Sequence, residues 1–560
     1  MVKNIFLSVC ILLSIILSST KMYAQIALLD EIKLMDNMRN QQLLGTLDDS
    51  NHLKQLSFFY RSTSSYQFYN TKVDSKKIKL VSYMFSDTRQ TNNNLPQGFN
   101  DGNLYPAQGS QERVSVGANI RWGALDINLQ PEWVTLENKL QKVDKGNQSD
   151  GNWWTRYYFL TANNIDHYRQ FGKESFNRLF LGQTRVGLTY PSLSVGVSNE
   201  NIWWGPGRRN SLMFTNNAAG FAHAYLQTNK PIKTPIGNFE VNAIIGRLDS
   251  AEFVNPDDSI MRTIWAGAIY PKNKQPRIMQ AVEVSWQPKW IPNMYIGYAY
   301  SVQRYYEDSN VFAQQLAVFS KNRVKTGLGV LMARFIMPKD HAEFYAELGT
   351  PNQMAYPWKF FNDSSKTVFV VGAKKLFPNQ NRKSYMEVGI ELTQLEMMNV
   401  QKIFVPNDPF GAPQYNSFYT SPIIRQGHTQ QGQLLGASIG PGSNSQTISI
   451  SWHKGLNKIA AHFERTVYNN DFYNYAYLSH VGNGKANARY VDITGGLEGQ
   501  LQAHKNILLG MSVLNSQTMN WRWLRIEDDK AHWSEPTSKT PDIYNLQVNV
   551  SVKFMFNGTH

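Results

Sequence analysis

Tryptophan and arginine alternate near the end of the chain, where Trp521, Arg522, Trp523 and Arg525 lie close together. The flat face of an indole can pack on the apolar C–H surface of a sugar, and guanidinium groups can bind hydroxyl or carboxylate oxygens. These residue types predict a polysaccharide-binding site. The alternative is an aromatic girdle at a membrane surface, where tryptophan is also enriched.

Two further segments combine the same residue types. In one, tryptophans and arginines flank a glycine-rich turn, since the residues are Trp203, Trp204, Gly205, Pro206, Gly207, Arg208 and Arg209. Glycines allow close approach of the backbone, so this segment is either a stacking platform beside two anion-binding guanidiniums or a buried tight turn whose tryptophans fill the interior. The other segment contains Trp153, Trp154, Arg156, Tyr157 and Tyr158, with the same two interpretations.

Catalytic patterns are weaker. Gly436, Ser438 and Gly440 match the Gly-x-Ser-x-Gly motif of hydrolases, but that motif requires a strand-to-helix turn, and this segment follows an alternating pattern into a turn. Two pairs of glutamates lie four residues apart, about 13 Å along a strand at ~3.3 Å per residue, which is too far for glycosidase carboxylates. We expect them to form ion pairs with interior lysines and arginines; they are Glu343 with Glu347, and Glu387 with Glu391.

The first 24 residues predict export, because Lys3 precedes an apolar run from Ile5 to Leu17 and a small-residue cleavage site ends at Ala24. The only cysteine, Cys10, lies in this signal peptide, so the mature chain would have no disulfide or thiolate site. We found no metal-binding motif and expect no cofactor. Removal of Lys3 and Lys21 lowers the net charge from +14 to +12. In this compartment the anionic partners would be lipopolysaccharide and acidic polysaccharide, not nucleic acid.

Period-two alternation dominates the chain from Phe58 onward. In the last segment Leu546, Val548 and Val550 share one face while Gln547 and Asn549 share the other, and similar segments recur around Val284, Tyr298 and Ile390. Lipid-facing and lumen-facing residues alternate in this way in a transmembrane β-barrel, and about ten residues cross the hydrocarbon layer. A soluble two-sheet sandwich would alternate too, but the signal peptide, the aromatic content and the number of segments favour an all-β transmembrane antiparallel barrel.

Apolar residues from Ile26 to Leu56 recur every three or four positions, which predicts an amphipathic helix. The predicted organisation is therefore a signal peptide at 1–24, a periplasmic helical segment at 25–56 and an outer-membrane barrel at 57–560.

The direction of the last strand predicts the sides of the membrane. Barrels of this kind close with the C-terminus in the periplasm, so residues 515–542 would be extracellular and the turn at 502–505 periplasmic. Counting back along the chain places residues 481–488 at the cell surface. The same count places the segments Asn469–Asp471 and Gly440–Asn444 on the periplasmic side.

The chain resembles the Wzi family of capsule-assembly barrels. The clearest blocks are the segment 203–207 and the residues that follow it, Asn210, Ser211, Asn216 and Asn217, together with the turn formed by Gly440, Pro441, Gly442, Ser443 and Asn444. Further blocks are Lys230–Thr234, Gly237–Glu240, Gly432–Gly436, Glu464–Arg465 and Asn469–Asp471, with weaker ones at Asn100–Gly102 and Pro131–Glu132.

The resemblance implies a barrel of about eighteen strands with N-terminal helices at the periplasmic mouth and a lectin-like, non-catalytic function. The leading hypothesis is a non-enzymatic outer-membrane protein with loops exposed at the cell surface, which binds exported or capsular polysaccharide and helps assemble or attach capsule. Its other partners would be outer-membrane lipid, lipopolysaccharide and the barrel-assembly machinery. The rival hypotheses are a passive porin and an outer-membrane hydrolase.

Overall fold

The computed structural model describes residues 31–46, 78–139, 151–306, 325–351, 367–397, 417–474, 489–523 and 542–557. The predicted signal peptide, the predicted boundary between residues 56 and 57, and Arg525 lie outside these residues.

The described strands form one closed antiparallel barrel of eighteen strands, which confirms the predicted fold class. Closure is made by the first and last strands, in which Thr88 pairs with Ser551. Three strands are interrupted and have two bounded parts. The strands are β1 Lys79–Asn92, β2 Gly109–Trp122, β3 Leu125–Leu129 and Glu132–Leu136, β4 Phe176–Phe180 and Arg185–Thr189, β5 Leu193–Ser198, β6 His223–Thr228 and Ile232–Thr234, β7 Gly237–Leu248, β8 Arg277–Pro288, β9 Met294–Tyr305, β10 Thr326–Met337, β11 Ala342–Pro351, β12 Val368–Pro378, β13 Ser384–Gln394, β14 Asn444–Lys454, β15 Asn457–Val467, β16 Val491–His504, β17 Ile507–Met519 and β18 Ile543–Asn557.

The faces of the strands follow the predicted alternation. In β13, Met386 and Ile390 are exposed on the outer face, whereas Glu387 and Glu391 are buried inside. In β18, Leu546 is exposed and Gln547 is buried. Successive side chains of a strand point to opposite faces, so each wall strand presents an apolar surface outward and a polar surface to the lumen.

The two ends of the barrel differ in their connections. At one end, which we call the short-turn end, neighbouring strands are joined by turns of a few residues, such as Gly455–Leu456 between β14 and β15 and Lys505–Asn506 between β16 and β17. At the other end, the long-connection end, the chain runs through long segments such as 199–222 and 249–276.

The predicted side of two family blocks is wrong. Gly440–Asn444 and Asn469–Asp471 lie at the long-connection end, opposite the 502–505 turn with which the sequence grouped them. The physical reason is that β15 ends at Val467 and β16 begins at Val491, so residues 468–490 form one connection rather than two connections separated by a strand.

The described part of the lumen is occupied by protein. Helix α1 (Glu31–Leu44) enters it, ends before Gly45 in the left-handed conformation, and so stops short of the predicted Leu56. Leu43 of α1 shares one buried core with Phe214 of the connection 199–222 and Tyr419 of the segment 417–443. That segment contains a small hairpin, Thr429–Gln430 paired with Gln433–Leu434.

Short helices cover the long-connection end. They are α2 (Gly151–Leu160), α3 (Pro256–Trp265) and α4 (Asn470–Tyr473), with 3₁₀ turns at Ala162–Asn164, Ala266–Ala268 and Trp521–Trp523. None of the described helices has the length and apolar character needed to cross a membrane.

Candidate functional site

The glycine-rich block forms a loop inside the barrel, residues 203–212, which we call the signature loop. The Glu391 carboxylate of β13 accepts hydrogen bonds from the backbone N–H groups of Arg208 (2.7 Å), Arg209 (3.0 Å) and Asn210 (2.7 Å). Successive N–H groups that converge in this way form an anion-binding concavity, here filled by the protein's own carboxylate.

A second buried carboxylate fastens the other parts of the loop. Glu347 of β11 accepts hydrogen bonds from the backbone N–H groups of Gly207 (2.9 Å) and Leu212 (2.8 Å) and from the Ser211 hydroxyl (3.2 Å). A Cβ atom on Gly205, whose φ is +139°, would overlap Glu347 Oε1. Gly205 is therefore required by the close approach of the backbone to this carboxylate, whereas a Cβ atom on Gly207 would first overlap the Asn210 carbonyl oxygen.

The two tryptophans of the loop are core residues. Trp203 and Trp204 are 4% and 3% exposed. The Trp203 indole N–H donates to the Gly207 carbonyl (3.2 Å), and Trp204 packs edge-on against Phe214 at 5.2 Å. Protein covers the ring faces that a sugar would need, so glycan contact by these two residues stays a prediction.

The two arginines of the loop are held by carboxylates of the chain. Arg208 donates to both oxygens of Asp36 (2.8 and 2.6 Å) and to Glu387 (2.6 Å). Burial alone would raise the pKa of the Asp36 carboxyl, but Arg208 and then Lys374 hold that pKa well below its usual range. Arg209 donates to Glu464 (2.7 Å), and its guanidinium lies 3.3 Å from the centre of the Phe99 ring.

Helix α1 joins this network through a neighbouring arginine. Arg39 donates to Glu343 (2.8 Å) and to the Pro206 carbonyl (2.9 Å). Glu343 also pairs with Arg334 at 2.6 Å and with Lys374 at 3.3 Å. The helix, the signature loop and the barrel wall are thus one connected set of charges, and this set fixes the helix in the lumen.

The four glutamates therefore divide into two roles. Glu343 and Glu387 form the predicted ion pairs with lysine and arginine, whereas Glu347 and Glu391 accept backbone N–H groups instead. Sequence spacing could not distinguish these roles, because the acceptors and donors are more than 130 residues apart in the chain.

A polar cavity of about 550 Å³ lies beside the loop. Asparagine, glutamine, serine and threonine side chains of the first and last wall strands line much of it, and the two loop arginines border it. Such a lining can hydrogen-bond sugar hydroxyls or water. Representative lining residues are Asn119, Asn128, Gln500, Ser512 and Asn549.

Two family blocks meet at the long-connection end. The Asn470 N–H donates to the Gly442 carbonyl (2.6 Å), and the side chains of Asn444 and Asn470 both donate to Glu396 (3.0 Å each). Asp471 accepts from the Met397 N–H (3.0 Å). Burial raises the pKa of Asp471 to about 7. The segments Gly440–Asn444 and Asn469–Asp471 thus form a buried hydrogen-bonded cluster around Asp471.

The two distant aromatic segments also meet, and together they cap the long-connection end. Trp153 and Trp154 of α2 share a buried core with Trp521 and Trp523 and with Phe472 of α4. Trp523 lies 5.2 Å from Phe472 between ring centres. We call this core the aromatic cap.

Arg522 lies at the centre of the aromatic cap. Its guanidinium is 5.4 Å from the Trp153 ring centre, 5.2 Å from Trp154 and 5.6 Å from Tyr157, and it pairs with Asp257 of α3 at 2.8 Å. Its side chain is 3% exposed. Trp521, Arg522 and Trp523 therefore lie inside the cap, and direct glycan contact by them stays a prediction.

An exposed aromatic surface at this end includes Trp265, the last residue of α3, and the sequence pattern did not indicate it. Trp265 is 38% exposed and packs edge-on against Phe159 at 5.7 Å. Phe159 lies 5.7 Å from Tyr270, and the Arg425 guanidinium lies 4.8 Å above Tyr270. We call these four residues the outer platform. The signal in the sequence that could have found it is the helix N-cap Asn255, whose side chain accepts the Asp257 N–H, because it marks the start of the helix that carries Trp265.

Ser438 lies in a turn that leads into strand β14 rather than into a helix. This context differs from the strand-to-helix turn that the hydrolase motif requires.

The fold and its occupied lumen define the chain as an outer-membrane β-barrel. Residues 92–269 match the family described as Capsule assembly protein Wzi, and this match confirms the resemblance drawn from the sequence. The matched region includes the whole signature loop, α2 and α3.

The chain is similar to several solved structures. Wzi of Escherichia coli, described as a carbohydrate-binding β-barrel involved in group 1 capsule assembly, matches with a TM-score of 0.56 and 12% identity over 93% of this chain and 98% of that one. OccAB2 of Acinetobacter baumannii matches with a TM-score of 0.39 and 9% identity over 85% and 98%. OccK2 of Pseudomonas aeruginosa, in complex with glucuronate, matches with a TM-score of 0.38 and 10% identity over 86% and 96%. No curated protein sequence matches the chain.

Proposed function

We propose that this chain is a non-enzymatic outer-membrane protein that binds exported polysaccharide and helps assemble or attach capsule at the cell surface. The observation that carries the proposal is the match of residues 92–269 to the capsule-assembly family. The occupied lumen supports it against the porin hypothesis, because the charge network holds α1 and the signature loop across the described interior.

Single-chain barrels place short turns in the periplasm and longer loops outside. On that rule the short-turn end faces the periplasm and the long-connection end faces outward, with the outer platform at the cell surface. Trp265, which is 38% exposed, offers ring surface to a sugar, and Arg425 and the exposed Arg262 offer guanidiniums for hydroxyl or carboxylate oxygens. The aromatic cap would support this surface from below.

The experiment compares cell-attached with released polysaccharide in a strain that lacks the gene. The strain is complemented with the wild-type chain, with a Trp265→Ala/Arg425→Ala double variant, or with Trp290→Ala. Trp290 is the matched control, because it is an exposed tryptophan at the opposite end of the barrel.

We expect greater release without the gene, at unchanged total synthesis, and restoration by the wild-type and Trp290→Ala chains only. Loss of one stacked ring would weaken binding by about 1–3 kcal/mol, a magnitude borrowed from nucleic-acid bases that stack on aromatic side chains. An unchanged ratio in the deletion strain would contradict the function. Full restoration by the double variant would contradict only the assignment of polysaccharide binding to the outer platform, and the proposed function would stand.

A further inference from the structure

The short-turn end has a strong excess of positive charge. Six exposed lysines lie in its turns or at the strand ends beside them, whereas Asp340 is the only acidic residue in the described short turns. The described long connections differ, because they contain both signs, for example Lys139 with Glu137 and Arg522 with Asp257. We call the six lysines the basic rim; they are Lys233, Lys289, Lys339, Lys383, Lys454 and Lys505.

Exposed aromatic residues lie next to the basic rim. Trp290 is 64% exposed and follows Lys289 directly. Trp452 is 42% exposed and lies two residues before Lys454, so the two side chains share the outer face of β14. Aromatic rings of this kind mark the edge of the hydrocarbon layer. The lysines therefore lie just beyond that edge, at the depth of the lipid headgroups.

We propose that the basic rim binds the anionic headgroups of phospholipids in the leaflet at the short-turn end. Each lysine of the basic rim is exposed, and Lys454 lies with Trp452 on the outer face of β14, which favours a lipid surface over a ligand in the pore. Lysines close to an anionic leaflet are attracted to it, and the attraction falls with ionic strength. This interaction is independent of polysaccharide binding and would fix the depth and tilt of the barrel.

The test uses the full mature chain refolded in phosphatidylcholine bilayers that contain spin-labelled phosphatidylglycerol or spin-labelled phosphatidylcholine. Electron paramagnetic resonance measures the fraction of each labelled lipid at the protein surface. One variant carries Lys289→Glu, Lys383→Glu and Lys454→Glu. The control carries Lys139→Glu, Lys173→Glu and Lys274→Glu, which change the net charge equally but lie at the long-connection end and are exposed.

We expect the wild-type chain to associate with phosphatidylglycerol about threefold or more over phosphatidylcholine at low salt, and less at high salt. The rim variant should lose this preference and the control should keep it. Heat-dependent migration on gels confirms that each variant is folded. No preference in the wild-type chain, or equal loss in both folded variants, would overturn the proposal. If the rim variant does not fold, the single variants Lys289→Glu and Lys454→Glu are tested in the same way.

Discussion

Arg208 of the signature loop and Asp36 of helix α1 form a two-point ion pair, with distances of 2.8 and 2.6 Å between guanidinium nitrogens and carboxylate oxygens. This pair joins the glycine-rich signature loop to a helix that precedes the barrel by more than thirty residues. The nearest other cation of Asp36 is Lys374, at 3.8 Å. The signature loop thus acts as an internal anchor for the helix.

Replacement of Arg208 by alanine should loosen helix α1. The Asp36 and Glu387 carboxylates would lose their shared partner, and we expect a local cost of about 1–3 kcal/mol, less than for a fully buried pair because Asp36 is 30% exposed. The measurement is hydrogen exchange of the α1 amides. Arg247→Ala, which removes an exposed pair with Asp249, is the control. Equal exchange in both variants would show that the pair does not anchor the helix.

The ion pair between Arg208 and Asp36 also bears on ion conductance through the barrel, because it holds α1 in the lumen. We expect the wild-type chain in a planar bilayer to show no stepwise ion current, because α1 and the signature loop cross the described lumen. The Arg208→Ala variant should show intermittent current. A steady open current in the wild-type chain would favour the porin hypothesis.

Replacement of Glu391 by alanine should destabilise the signature loop. Three backbone N–H groups would lose their acceptor, of which that of Asn210 is buried and those of Arg208 and Arg209 are partly buried, at about 1–3 kcal/mol for each group that water cannot reach. The midpoint of urea unfolding in detergent measures this loss. Glu498→Ala is the control, because its pair with Lys458 is about a quarter exposed and worth little. A Glu391→Ala midpoint no lower than that of the control would contradict the role of Glu391.

The wall of the barrel could be predicted from sequence because alternation is local. The exposed Leu546 and the buried Gln547 are neighbours in the chain, and their hydropathies alone assign their faces. The count of eighteen strands came from the family resemblance, because the interrupted strands β3, β4 and β6 weaken the pattern.

The interior could not be predicted in the same way, because its contacts join distant residues. The segments that contain Trp153 and Arg522 have similar compositions, but nothing in either sequence shows that these two residues pack together. The sequence is compatible with two roles for Trp203, a stacking platform or a buried core residue, and only the folded structure shows that the side chain is buried. The side of Asn469–Asp471 was wrong because a long connection without a clear helix pattern was read as an additional strand.

Replacement of Arg522 should open the aromatic cap. Arg522→Ala leaves Asp257 without this partner and removes the cation from three aromatic rings, which we expect to cost about 3–5 kcal/mol. Arg522→Lys keeps the charge but not the planar stacking, so it should recover only part of the loss. Limited proteolysis of intact cells would measure the opening. Protection equal to wild type in Arg522→Ala would show that the other rings suffice to close the cap.

The hydrogen-bonded cluster around Asp471 should weaken as the pH rises. The usual pKa of this carboxyl is 3.8, and burial raises it to about 7 in the folded chain; hydrogen bonds from Ser417 and from the Met397 N–H oppose this rise, and the nearby Glu396 adds to it to a smaller extent. The folded state therefore holds the proton more tightly than the unfolded state. This tighter proton binding stabilises the fold fully below about pH 4, and the stabilisation is lost as the pH rises to about 7. It contributes at most about 4 kcal/mol to the free energy of unfolding.

Hydrogen exchange of the amides between Gly442 and Tyr473, corrected for the intrinsic effect of pH, measures this change. Protection should fall between pH 4 and 7 in the wild-type chain. In Asp471→Asn the side chain cannot ionise, so protection should stay constant over the same range. Protection that rises with pH in the wild-type chain would contradict a raised pKa, because a carboxyl with a lowered pKa stabilises the fold only when it is ionised.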